Sequence, residues 1–292
     1  MKKKHLYPLD LNFILFYPTK SDPRWLVLTF ILCYVIFALS FSGFSRGFDQ
    51  FFASVLTCLL FDIVFLFFKR TSILPLSSLV SSLGLFLLCD SNLVWIYSLI
   101  AAISISSKHL IRISHRHIFN PNNFGIVFGV LFFPNYMTTV AGRWGGSLLS
   151  SALIGILGVA VVIRVRRLPL VISYAITFFA GALARALLLN RPFFTVAAPI
   201  TGAAFQLYLF YMLTDPVTTP KGYKNQAIFG VGLGFLDACF RFYQVKYAPF
   251  FSLFLMCAAF SFIEEVCRTV ERDRPWMIEK FSFRGLSHEF EA

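Results

Sequence analysis

Apolar residues run along this chain in blocks, and short polar stretches holding most of the charges and many of the prolines separate them. Ten blocks stand out, at about 25–41, 50–68, 73–89, 93–107, 121–134, 147–163, 169–188, 196–213, 227–242 and 249–267. A helix needs about 20 apolar residues to cross the bilayer core, and backbone groups in lipid have no water to satisfy them, so apolar blocks of this size read as α-helices. The pattern predicts an all-α polytopic membrane protein of about ten transmembrane helices. Residues 1–24 form a cytoplasmic N-terminal segment, 25–267 the transmembrane domain and 268–292 a cytoplasmic tail. Several blocks fall short of a full crossing, 121–134 most clearly, and suit helices inside a bundle or re-entrant segments.

The positions of the cations test this count. With the N-terminus inside, 20 of the 26 Lys and Arg fall in cytoplasmic segments, among them Lys69, Lys108, Arg112, Arg116, Arg164, Arg166 and Arg167. Only Arg46, Arg143, Arg191, Arg241 and Lys246 fall outside, and Arg185 is left within the seventh block. A miscounted helix would exchange the sides downstream of the error, so this asymmetry favours ten crossings with both termini cytoplasmic. Ten divides into two sets of five, and an odd number per set makes the halves inverted, although no sequence repeat links them.

Composition agrees with the pattern. Hydrophobic residues make up 58% of 292 positions and charged residues 14%, and Phe alone supplies 37. Soluble domains carry roughly a quarter charged residues, so lipid must solvate part of this surface. The net charge of +12 sits in short clusters beside apolar blocks. That is the signature of anionic headgroups on the inner (cytoplasmic) membrane rather than of nucleic acid. The six cysteines form no CxxC pair and fall mostly within apolar blocks, as small buried hydrophobes. No cleavable leader is expected, because Pro18, Asp22 and Pro23 interrupt the first apolar run.

Charges within the blocks are costly in lipid and need a partner or a purpose. Asp62, seven residues before Lys69, is expected near the inner interface, and Glu264 and Glu265 nearer still to water. Asp237 and Arg185 both fall toward the outer ends of their helices and suit a pair. Each is read as an interfacial or paired structural charge, with an ion or proton path as the alternative. Gly125/Gly129 and Gly230/Gly234 are GxxxG pairs, which favour close helix packing. His109, His115 and His117 crowd one basic loop and read as solvated, since no second cluster completes a metal site. No GxSxG, HExxH or P-loop pattern is present, so nothing marks a hydrolase or an ATPase.

Two cytoplasmic-side motifs remain. In the run Phe119-Asn-Pro-Asn-Asn-Phe-Gly125, Asn120 suits a helix N-cap and Pro121 the first helical position, and Asn123 adds an amide in the first turn. The run Met212-Leu-Thr-Asp-Pro-Val-Thr-Thr-Pro220 closes the eighth block with two prolines and several hydrogen-bonding side chains. Interrupted helix ends on one membrane side expose backbone polar groups and suit a polar ligand, with ordinary caps and turns as the alternative.

These motifs resemble those of the NqrB/RnfD family, membrane subunits of the sodium-pumping quinone reductase and of the Rnf electron-transport complex. The carriers are Asn120-Pro-x-Asn123 and Phe210-Tyr-Met-Leu-Thr-Asp-Pro-Val-Thr-Thr-Pro220, followed by Ile228-Phe-Gly230 in a Gly-rich helix. The likeness extends over about 108–265. It implies a bundle related to the urea-transporter fold, electron transfer with redox partner subunits, and a non-covalent flavin, riboflavin or FMN, near Asn120 and Asn123. Asp215 and Thr218 match the second motif, and we place them at the same site. Family members with covalent FMN attach it to a Thr in an SGAT-like loop. The corresponding stretch 134–146 holds Thr138 and Thr139 but no SGAT, so covalent FMN is not expected. In this respect the chain is similar to the stand-alone UnbU-like branch. A transporter or channel for a small polar solute and a cofactor-free scaffold subunit stay open as other readings.

Overall fold

The computed structural model describes residues 22–41, 46–69, 75–113, 116–139 and 148–273. Expectations for the first 21 residues, for the tail from 274 and for 140–147 of the SGAT-equivalent stretch lie outside these described residues. Every expected block contains helix: α1 Pro23–Phe41, α2 Phe48–Phe68, α3 Leu76–Leu88, α4 Val94–Leu110, α5 Pro121–Phe132, α6 Leu148–Arg164 and α7 Leu168–Leu188. The eighth block is in pieces: α8 Phe193–Ala197, a 3-10 turn at Ala198–Thr201, α9 Ala203–Leu207 and a π turn at Tyr208–Met212. The last two helices are α10 Tyr223–Phe242 and α11 Ala248–Asp273, so α11 extends six residues past the expected end at 267.

The chain is an all-α polytopic membrane protein, and its helix lengths qualify the count. Among the described residues, α1, α2, α7 and α11 are each long and apolar enough to cross alone, and the bent eighth segment makes a fifth. At 1.5 Å per residue, α3 and α5 reach only about 20 Å, well short of the roughly 30 Å hydrocarbon core. They stand inside the bundle, where α5 buries Gly125, Ile126, Val127, Gly129 and Val130. In the eighth segment, Pro199 lacks an N–H and Gly202 is extended (φ −73°, ψ 134°), and the two flanking pieces meet at 59°.

The helices are apolar outside and more polar inside. On α2 the buried residues are Ser54, Cys58 and Asp62, each four after the last, while Phe52, Leu56, Leu60, Ile63 and Phe67 are exposed. In water this face order would be unstable; against lipid tails it is the expected one. Both GxxxG pairs lie at close helix contacts. A side chain at Gly230 would meet the Leu170 carbonyl of α7 at 2.6 Å, and one at Gly234 would meet Thr177 at 2.7 Å. Gly125 lies equally tight against Ser104 and Ile100 of α4.

The packing repeats. In the first five segments α1 packs on α3, α2 on α3 and α4, and α4 on α5. In the second five α6 packs on α9 and the π turn, α7 on α8 and α10, and α10 on α11. Segment by segment, these are the same pairings. Across the seam, α1 meets α6, α3 meets α9 and α5 meets α11, so three of the five segments pack on their counterparts five places on.

Candidate functional site

At this seam lies a cavity of about 570 Å³. One side is built by α1, α3 and the start of α5, and the other by α6, the π turn and the loop 214–217. The walls contributed by Val27, Ile31, Val80, Leu87, Leu88 and Val161 are apolar. Polar groups concentrate at the helix interruptions, because there the backbone has left its internal ladder and side chains replace it.

Asn120 is the organising residue. Its Oδ1 accepts from the Asn123 N–H at 3.2 Å, capping α5, and Pro121 occupies the first helical position. Its Nδ2 donates to Asp215 Oδ2 at 3.2 Å and lies 3.4 Å from the Met212 carbonyl. The two motifs far apart in sequence are therefore joined by one side-chain contact. Asp215 Oδ1 accepts from the Val217 N–H at 3.1 Å, and the Thr219 hydroxyl donates to the Asp215 carbonyl at 2.6 Å, which fixes the loop. The π turn sets the approach of this loop: the Leu213 N–H bonds to the carbonyl of Tyr208, five residues back, at 2.9 Å. Arg167 adds a donor to the Pro216 carbonyl at 3.2 Å, and burial holds its guanidinium below the ordinary arginine range, with Asp215 opposing.

Asn120 and Asp215 face the cavity, whereas Asn123 and Thr218 do not line it. Asn123 is buried behind, and its Nδ2 donates to the Phe250 carbonyl of α11 at 3.1 Å, tying the short helix to its counterpart. Thr218 is buried beside a separate small pocket with Arg116 and Glu264. Asn122, which the sequence reading passed over, does line the cavity. Its Oδ1 is buried without a hydrogen-bond partner, and its Nδ2 occupies the space that a side chain at Gly84 would fill. Tyr211 also lines the cavity and bonds to Tyr34 of α1, hydroxyl to hydroxyl, at 2.7 Å. At one edge Arg24 and Asp22 form an ion pair at 2.7 Å, and the guanidinium holds the Asp22 carboxyl below its ordinary range.

The intramembrane charges all have positions. Asp62 is buried within the protein and contacts Lys108 and His109. Asp237 is also buried and pairs with Arg241 at 2.9 Å, four residues along α10, and with the Tyr174 hydroxyl at 3.0 Å. The expected partner, Arg185, makes no ion pair with it among the described residues, and its Nε is buried without a hydrogen-bond partner. The i, i+4 spacing within one helix brings Arg241 to the carboxylate, and α7 contributes Tyr174 rather than Arg185. Glu264 is shared by Arg116 and Arg268, which ties the hairpin of β1 (Arg112–Ile113) and β2 (Arg116–His117) to α11. Thr138 and Thr139 pair with Cys89 and Asp90, beyond the far end of α5 from Asn120.

No curated protein matches the chain. The family comparison matches its second half, α6–α11 with the Asp215 loop, and leaves the Asn120 motif outside the matched stretch. Over residues 140–271 the sequence matches the model of the NQR2, RnfD, RnfE family.

Proposed function

We propose that this chain is an electron-transfer membrane subunit that holds a flavin, riboflavin or FMN, non-covalently in the seam cavity. The family match over residues 140–271 supports a role as a membrane subunit of a redox or ion-translocating complex. The finer reading rests on one observation: a small-molecule-sized cavity with apolar walls is lined at one edge by the amides of Asn120 and Asn122 and the carboxylate of Asp215. Ligand pockets span about 300–1,000 Å³ with a few convergent polar groups, and this one is within that range.

The residues fit a flat heterocycle with one hydrogen-bonding edge. The Asn122 amide offers a hydrogen bond to the ring edge, while Asn120 and Asp215 brace each other and keep the neighbouring edge rigid. Valine and leucine side chains cover the ring faces and keep water away. A bound flavin supplies one- or two-electron transfer, and the protein's task is to position it and tune its surroundings. Non-covalent attachment is supported by the position of Thr138 and Thr139, since the 12 residues of α5 put about 18 Å between them and Asn120.

Gently purified protein is expected to be yellow with flavin fluorescence. Asn122→Leu leaves the helix pattern intact and removes the amide, so it is expected to weaken flavin binding by about 10-fold, the worth of one hydrogen bond at 1–1.5 kcal/mol. Colourless wild-type preparations that cannot be reconstituted with riboflavin or FMN would overturn this reading. The matching packing of the two halves around the cavity favours a second reading, a carrier of a small polar solute. Solute uptake by flavin-free proteoliposomes is the result that would replace the first reading with the second.

A further inference from the structure

From a cavity wall lined by Ser77 and Lys108, groups able to exchange protons form an unbroken row. Ser77 lines the cavity, and its Oγ accepts from Lys108 Nζ at 2.8 Å. Lys108 Nζ also donates to Asp62 Oδ1 at 3.0 Å. The same oxygen lies 2.6 Å from His109 Nε2, and His109 Nδ1 lies 3.0 Å from Lys69 Nζ. Asp62 and His109 are buried, whereas Lys69, capping the end of α2, is exposed. The row therefore begins in solvent and ends in the cavity.

Donor and acceptor roles set its resting state. An ammonium only donates, so Nδ1 of His109 accepts from Lys69 and Nε2 holds the proton given to Asp62. Phe65 stacks on the imidazole at 4.7 Å and 14°, which fixes the ring plane. A structural ion pair needs only Asp62 and Lys108; His109 and Lys69 add an arm whose end reaches water. The groups around the row are Arg112 near Lys69, and Cys58 and Ser78 beside Asp62 and Lys108. Burial, with Arg112 and Lys108 nearby, holds the Lys69 ammonium below the ordinary lysine range, which eases its release of a proton.

We propose that Lys69, His109, Asp62, Lys108 and Ser77 form a proton relay from the exposed end of α2 to the cavity, supplying the proton that a redox ligand takes up on reduction. Each transfer moves one proton from an N–H or O–H to the next lone pair. A proton enters from water at Lys69 and another leaves at Ser77, so the row returns to its starting charge. Its purpose rests on the flavin reading; the path itself does not.

The test uses the full chain in lipid nanodiscs with riboflavin, whose fluorescence first reports binding. Dithionite with two waters then gives bound riboflavin two electrons, going to two sulfites and releasing its protons to the buffer, and the ring takes up a proton at N5 that the flavin's own absorbance times in stopped flow. His109→Phe keeps a ring against Phe65 but breaks the row, and Lys69→Met removes only its exposed end. Riboflavin affinity is expected to hold in both variants. Proton uptake should slow by about 100-fold in His109→Phe, the lower end of what a positioned proton-transfer group contributes, and added imidazole should restore it. A histidine with a purely structural role gives no such rescue. Unchanged uptake in both variants with riboflavin bound overturns the relay and leaves the flavin reading intact. If riboflavin does not bind, the flavin reading falls alone. Deuterium exchange at His109 Nε2–H in ligand-free protein, followed by nitrogen NMR, then decides the relay: slower exchange in Lys69→Met supports it, and unchanged exchange overturns it.

Discussion

Asp237 is the most enclosed carboxylate among the described residues, and Arg241 with the Tyr174 hydroxyl satisfies it. Removing one member of such a pair leaves a buried charge alone, which costs about 3–5 kcal/mol. Asp237→Ala is therefore expected to lower thermal stability sharply, and adding Arg241→Leu should recover part of the loss; melting curves of both proteins in detergent check this. The i, i+4 spacing of Asp237 and Arg241 was legible in the sequence, but the outer-end positions drew the pairing toward Arg185 instead. Asp62 shows the opposite difficulty. Its nearness to Lys69 in sequence suggested the interface, and His109 links the two, but the sequence did not show that the carboxylate is buried against α4. Only the crossing of α2 and α4 brings Lys108 and His109 to it, and no local spacing encodes that crossing. Asn120 and Asp215 were legible because each sits at a proline that interrupts a helix. Asn122 was not, since which of three nearby amides turns toward the cavity depends on the helix phase set by the Asn120 cap.

At the scale of elements, the glycines of α10 distinguish backbone contacts from yielding ones. A side chain at Gly230 meets the Leu170 carbonyl at 2.6 Å, whereas one at Gly232 meets the terminal methyl of Met256 at 3.0 Å. Gly230→Ala should then cost about 1–3 kcal/mol, because overpacking forces α7 and α10 apart. Gly232→Ala should cost little, since methionine repacks readily; unfolding midpoints of the two variants give the comparison. Both GxxxG pairs predicted close packing, and the structure shows it. The eighth block read as one helix over 196–213, although Pro199 and Gly202 were the signals of its break. The π turn that follows leaves no comparable mark, because an extra residue in a turn is dictated by what the chain must reach, here the Asn120 amide.

For the whole molecule, periodicity and apolar content were enough to find every helix-bearing block and the membrane class. The pairing of the two halves was not readable, since matching packing needs no matching residues. The cavity is a product of that pairing and belongs to neither half alone. Sidedness is an independent prediction. In a cysteine-free background, Lys69→Cys and Arg166→Cys should label from the same membrane side and Tyr243→Cys, between α10 and α11, from the other. Labelling of Lys69→Cys and Arg166→Cys from opposite sides would mean an odd number of crossings between them. The seam has a reciprocal consequence. An occupant bonded to Asn122 on one half and packed on Val161 of the other acts as a rivet, resisting any separation of the two. By the same thermodynamic linkage, a docking protein or a change in bilayer tension that pries the halves apart must loosen the occupant by an equal amount.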